Sequence, residues 1–233
     1  MKILNNLNDV SNNPKAITVG NFDGIHKGHQ ALINKTKEIS NENNVESVIF
    51  TFNKLPKEIF SPDTVQRLYG NKIKESILSS YKIDTLLSID FNEIKDYSAD
   101  FFCEEILIKK LNTRYLIIGE NFKFGKDRSG DIEKLRKYDS KNAFELVVPV
   151  LETYDGIKIS SSRVRNLLNQ GNIIGARECL GRDYMLSGTV VSGEKIGRKL
   201  GYPTANIKLE YDYPLDGVYP VSYTHLRAHE TVA

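Results

Sequence analysis

Gly20-Asn21-Phe22-Asp23-Gly24-Ile25-His26-Lys27-Gly28-His29 separates two segments of different periodicity. Before it, Ala16-Ile17-Thr18-Val19 is a short apolar, β-branched run, the pattern of a buried strand. After it, Leu32, Ile33 and Ile39 recur at helical spacing. A glycine-rich loop thus leaves a strand and opens a helix, aiming unpaired N–H groups and the positive end of a helix dipole at one spot. His26 and His29 are three residues apart, so in a first helical turn their rings point the same way. Gly28 between them leaves no side chain to hold a phosphate off the backbone. The stretch reads as a nucleotide-phosphate site, with a purely structural loop and a metal site as rivals. Zinc needs three or four ligands. Cys103 and Cys179 show no ligand spacing, and His225 and His229 lie near the end of the chain.

The surrounding composition is that of an ordinary soluble protein: 233 residues, 40% hydrophobic and 27% charged. A net charge of +2 gives no electrostatic reason to expect nucleic acid. No apolar run is long enough to span a bilayer, and Met1-Lys2-Ile3-Leu4 leads into asparagines rather than a signal-peptide core. Two distant cysteines make no disulfide framework, which points to a reducing cytoplasm. The oligomeric state is not encoded in any pattern found here.

Further along, residues 47–52 and 85–89 read as strands, residues 72–81 as a helix, and Pro56 as a break inside a loop. Ser98 is placed to cap a helix running to about Leu111, with Phe101, Phe102, Ile106 and Leu107 as its core stripe and Cys103 near that core. Residues 114–118 and 145–150 are further strands. Between them, residues 119–131 form a loop of aromatics, glycines and charges that feeds a helix from about Ile132. Strands alternating with helices predict a parallel sheet covered on both faces, with ligands beyond the carboxyl ends of the strands at the switch point. Both special loops follow strands and fall on that edge. Three serines, Ser160-Ser161-Ser162, precede Val164, Leu167 and Leu168, with Gly171 as a stop. They suit either a helix cap or the β- and γ-phosphates of ATP. Arg163 and Arg165, two apart, cannot share a helix face, so at most one enters such a site. From Gly181 the pattern changes to short strands and turns, and a boundary is expected near Arg182.

Four motifs in order give the chain a resemblance to the bacterial bifunctional riboflavin kinase/FAD synthetase family. Residues 20–29 are similar to G-x-F-D-G-x-H-x-G-H, and residues 119–131 to G-E-[DN]-F-x-F-G…R-x-G-D. Residues 159–165 are similar to I-S-S-[ST]-x-[IV]-R, and residues 197–206 to the kinase motif G-R-x-x-G-[FY]-P-T-A-N. The resemblance implies a Rossmann-like α/β nucleotidyltransferase domain over residues 1–181, which joins FMN to the AMP of ATP and releases FAD and pyrophosphate. It implies an incomplete riboflavin kinase β-barrel over residues 182–221; beyond it, where half of the histidines fall and no strand pattern continues, residues 222–233 read as a non-native tail. Carried over residue by residue, His26, His29, Ser161 and Ser162 become the catalytic set. Gly20, Phe22, Asp23, Gly24, Gly28, Lys158, Arg163 and Arg165 fall to ATP, and Asn121, Phe122, Phe124, Arg128 and Asp131 to the flavin. Thr204 and Asn206 would serve Mg²⁺-ATP in the kinase half. ATP and Mg²⁺ are the implied cofactors, and the partners are small molecules rather than nucleic acid or membrane.

The chain departs from the family pattern where T-F-x-P-H-P is usual, having Thr51-Phe52-Asn53-Lys54-Leu55-Pro56. A barrel without its remaining strands has open edges, so no riboflavin kinase activity is expected of this chain. FMN formed from riboflavin and ATP is the measurement, and clear turnover overturns that expectation. Two alternatives stand beside FMN adenylylation: a nucleotidyltransferase for another acceptor, and a flavin- or nucleotide-binding module without turnover.

Overall fold

The computed structural model describes residues 1–61, 65–151, 153–191 and 206–215. Six strands form a wholly parallel sheet: β1 (Lys2–Leu4), β2 (Lys15–Val19), β3 (Glu46–Phe52), β4 (Thr85–Ile89), β5 (Thr113–Ile117) and β6 (Glu145–Val147). Their spatial order is β1-β4-β3-β2-β5-β6. The chain moves outward from β2 through β3 to β4, then returns to the other side of β2 for β5. The topological switch therefore lies between β2 and β5, and both special loops leave the sheet there.

Side-chain alternation in the buried strands divides the core between the two faces. Ile17, Val19, Val48, Phe50 and Leu116 pack on one side with Phe102, Cys103, Ile106, Leu107 and Leu135. Ala16 and Ile117 face the other side with Leu32 and Ile39 of α1 (Lys27–Asn43). Ile49 and Leu86 share that second side with Phe22, Ile25, Ile33 and Leu78. Burial on both faces explains why these strands read as unbroken apolar runs.

Pro56 does more than break the strand: its fixed φ starts a short helix, α2 (Pro56–Phe60). The helix expected over residues 72–81 is α3 (Asn71–Ser79). Ser98 caps α4 (Ala99–Phe101) through the Phe101 N–H, 3.1 Å, and the element then widens into a π-helix over Phe102–Lys110. Phe101 does not join the core stripe: it is exposed and packs on Tyr97, 4.5 Å between ring centroids. The next residue, Phe102, is the one that points inward, and it packs in the core with Cys103, Ile106 and Leu107. Cys103 is buried, and burial pushes its thiol up to about 12, as a core residue rather than a nucleophile.

Helix α5 (Ile132–Asp139) follows the aromatic loop. Strand β6 stops short of the expected residue 150; Pro149 has no N–H for a ladder, and Val150 is fully exposed. A hairpin of β7 (Thr153–Tyr154) and β8 (Ile157–Lys158) then leads into α6 (Ser161–Asn169) and α7 (Ile173–Leu180). Gly171 follows α6 with φ 70°, a conformation suited to glycine. Beyond Arg182, the described residues form an antiparallel ribbon of β9 (Gly188–Val191) and β10 (Asn206–Leu209). Asn206 opens β10 and is exposed. Thr204 and the tail at residues 222–233, with His225 and His229, lie outside the described residues.

Candidate functional site

Strand β2 hands the chain to α1 through a loop whose shape is set by burial beneath it. The Phe22 and Ile25 side chains are fully buried and hold their own backbones at φ 48° and 42°. Gly24 sits at φ 82°, and a Cβ there would lie 2.5 Å from Leu68 Cδ1. Only glycine fits that turn. Phe22 is thus a wedge under the loop rather than a ring available to ATP, because its side chain has no exposed surface. Gly20 donates its N–H to Phe50 O at 3.0 Å, which extends the sheet into the loop.

His26 caps α1 and its Nδ1 accepts the His29 N–H at 3.3 Å. With Nδ1 accepting, the neutral ring carries its proton on Nε2, a donor for a ligand. The His26 and His29 rings stack at 3.7 Å and 18°. The paired imidazoles expected from the spacing are present. Gly28 acts differently from the sequence expectation: a Cβ there would lie 3.2 Å from the His26 ring, so the space that it leaves is taken by the imidazole. Burial first, then the Arg182, Arg165 and Lys158 cations, push His26 down to about 4. Burial and then the His26, Lys74 and Arg182 charges hold His29 well below its ordinary value, and its buried Nδ1 has no hydrogen-bond partner. Both rings are therefore neutral at pH 7.

That state has a cost in acid. His26 titrates near 6.5 when unfolded and at about 4 when folded, so the unfolded chain takes up the proton first as pH falls. Stability is present above the unfolded value and is lost between about pH 6.5 and pH 4, by about 3 kcal/mol. Urea midpoints of the parent and of His26→Asn, compared from pH 7 to pH 4, isolate this contribution. The gap between the two proteins is expected to shift by that amount across the window; an unchanged gap contradicts it.

The serine motif reaches the same loop. Ser160 caps α6 by accepting the Arg163 N–H at 3.2 Å, and Ser161 Oγ donates to Asp23 O at 2.8 Å. Ser162 is exposed. Asp23 and Arg165, both expected at ATP, are engaged with each other: Arg165 Nη2 donates to Asp23 Oδ2, and Arg165 Nε donates to Gln66 O at 2.6 Å. Asp23 also accepts the Leu68 N–H at 3.1 Å, and its carboxyl is raised by burial against the pull of Arg165. The pair is a brace between loop and helix, since the side chains that would meet a phosphate already satisfy each other. Arg163 points away, over the Tyr154 ring at 5.3 Å, as the two-residue spacing requires. Lys158 Nζ pairs with Glu120 Oε1 at 2.6 Å in the second loop.

Of the second loop, Asn121 and Arg128 are exposed and Phe122 is half-buried. Phe124 is a core residue, stacked on Phe122 at 5.5 Å and packed on Phe102 at 5.5 Å, so its ring is not open to a flavin. Asp131 caps α5 through the Lys134 N–H at 3.1 Å and pairs with Lys123 at 3.1 Å. Leu151 Cδ1 lies within 3.7 Å of the Cβ position at Gly28 and 3.6 Å of that at Gly119, so one side chain joins the two loops.

Two residues escaped sequence reading. Lys74 is buried beneath the loop and donates to Asn21 O and Thr51 Oγ1, each at 2.7 Å; burial lowers its amine to about 7. Arg182 donates to the Gly24 and Ile25 carbonyls. A lone cation in a helix pattern or after a glycine carries no local signal for either role. Among the described residues no three His, Cys, Asp or Glu side chains gather as a metal site.

Comparison with known proteins agrees with this architecture. Residues 8–163 match the FAD synthetase family model and residues 180–233 the riboflavin kinase model. A protein of Buchnera aphidicola (from Schizaphis graminum), named bifunctional riboflavin kinase/FMN adenylyltransferase, is 41% identical over 94% of this chain and 71% of its own. The chain belongs to that family. Relatives of the same name from Pseudomonas fluorescens and Escherichia coli K12 are 35% and 33% identical, over 88% and 95% of this chain and 67% and 72% of theirs. A crystal structure from Streptococcus pneumoniae, described as a macrolide-efflux protein, superposes with TM-score 0.79 at 31% identity, over 93% of this chain and 72% of that one. Among the described residues of this family member, no helix is long and apolar enough to cross a membrane.

Proposed function

We propose that the chain transfers the adenylyl group of MgATP to FMN, giving FAD and pyrophosphate, at the mouth of the β2–α1 crossover. The observation that carries this reading is the pair of stacked imidazoles at the switch point, on a loop bonded to the N-terminus of α6 through Ser161. FMN brings its own nucleophile. One of its phosphate oxygens forms a bond to the α-phosphorus as the bond to the bridging oxygen breaks, and pyrophosphate leaves with that electron pair. The protein then has to orient the reactants and stabilise growing negative charge.

The α1 and α6 N-termini, the neutral imidazole N–H groups and Ser161 and Ser162 are suited to the triphosphate. Lys158 can exchange Glu120 for the departing pyrophosphate. Magnesium enters as part of the nucleotide substrate, held mainly by phosphate oxygens and water. Asn121, Phe122 and Arg128, on the loop after β5, are assigned to the flavin; two of them are exposed and Phe122 is half-buried. Both cysteines are free, in keeping with the reducing cytoplasm that holds these substrates.

The test is FAD and pyrophosphate release from FMN, ATP and Mg²⁺. Stoichiometric formation of both supports the reading. Tight FMN binding without FAD favours a binding module, and turnover only with another phosphate acceptor favours a different transferase.

A further inference from the structure

Arg182 follows α7, beyond the segment that matches the FAD synthetase model and inside the one that matches riboflavin kinase. Its guanidinium nevertheless turns back to the first domain. Nη1 donates to Ile25 O at 3.0 Å and to Leu180 O at 3.1 Å, while Nη2 donates to Gly24 O. The group lies over the Tyr69 ring at 5.3 Å, and Tyr69 in turn stacks on Tyr184 at 5.6 Å. Gln30 Nε2 reinforces the same junction, donating to Ile25 O at 2.8 Å and Leu180 O at 2.7 Å. Gly24 and Ile25 immediately precede His26 and both have positive φ, so their carbonyls define how the imidazole is presented.

We propose that Arg182 is a positioning residue of the adenylyl-transfer site: its planar fork locks the Gly24–Ile25 turn and so sets the placement of the His26 and His29 rings. A lysine cannot reproduce this, because one ammonium does not hold the fixed two-pronged geometry. The working adenylylation unit then extends through residue 182, and the kinase-matched segment contributes to the first active site. The charged groups that act on His26 are Arg182, Arg165 from α6 and Lys158 from β8, and those that act on His29 are His26, Lys74 from α3 and Arg182. Arg182 is the one that bonds the turn itself.

The experiment compares the full chain with Arg182→Gln, Arg182→Lys and the control Arg177→Gln. Arg177 is exposed and pairs with Asp183 at 3.2 Å. Histidine side-chain NMR over a pH series reads the two rings, and FAD formation reads kcat and KM separately. In Arg182→Gln the His26 titration is expected to move up toward the ordinary imidazole value, with kcat down by about 10²-fold, the scale of a misplaced catalytic geometry. Arg182→Lys is expected to keep the low titration and still lose kcat, and the control to match the parent in both. The kcat arm rests on the adenylyl-transfer reading; the titration arm does not, so a protein that makes no FAD but shows the shift separates the two. Folded Arg182 variants with parental titrations and kcat overturn the proposal. Loss of the fold in both Arg182 variants assigns the residue a structural role alone, and overturns it too.

Discussion

His29→Ala is expected to lower kcat for FAD formation by about 10²–10³-fold, the usual cost of removing one preorganised donor to a developing oxyanion. Its ring lies 3.7 Å from His26 and its Nδ1 is buried without a partner. In a folded protein such a group calls for a ligand or a compensating role. Truncation removes that atom while leaving the Phe22 wedge and the His26 cap in place, so the fold should persist. The neutral state of both rings extends the prediction. A polyphosphate anion favours the protonated imidazole and raises its pKa. ATP binding is therefore expected to take up protons, and to tighten as pH falls through the bound-state value toward the lower free-state one. Calorimetry of ATP binding in buffers of different ionisation enthalpy measures the uptake, and His29→Ala should reduce it. Parental kcat in a folded His29→Ala protein removes the imidazole pair from the mechanism.

Arg165→Met is expected to carry the largest stability loss. Asp23 is 5% exposed and Arg165 18%, and the pair braces the loop against α6. Removing the guanidinium leaves a carboxyl that burial already raises, with the Leu68 N–H among its remaining partners. Breaking a buried pair from one side costs about 3–5 kcal/mol. For a chain of this size that lowers Tm by roughly 10 °C. The double variant Asp23→Asn/Arg165→Met should recover part of the loss, since no uncompensated charge remains. Thermal melts of the two single variants and the double variant give the coupling energy. Purely additive single effects contradict the brace and return both side chains to the ligand.

What could be read without coordinates followed from local rules. The β-branched runs before Gly20 and Gly119 announced strands because buried parallel strands are apolar on both faces. The H-x-x-H spacing announced two rings pointing the same way because a helical turn brings such residues together, and the structure adds that they stack. The serine run announced a helix cap. Two arginines two apart were bound to diverge, and they do: Arg165 to Asp23, Arg163 to Tyr154. The short elements were harder. Strand β1 and the β7–β8 hairpin have too few residues for a periodicity to stand out.

The side-chain assignments divide along the same line. Phe22, Phe124, Asp23 and Arg165 belong to the motifs, yet the fold spends their side chains on packing and on an internal ion pair. Lys74 and Arg182 carry no motif and end up against the loop that does. Residue type and spacing, by themselves, pointed to a glycine-rich crossover at a parallel sheet's switch point, and the four motifs taken together pointed to the family. Which polar groups remain free to meet a ligand was decided only in three dimensions. Each donor and acceptor has a limited number of partners, and contacts between residues far apart in the chain, such as Asp23 with Arg165 or Gly24 with Arg182, claim them first.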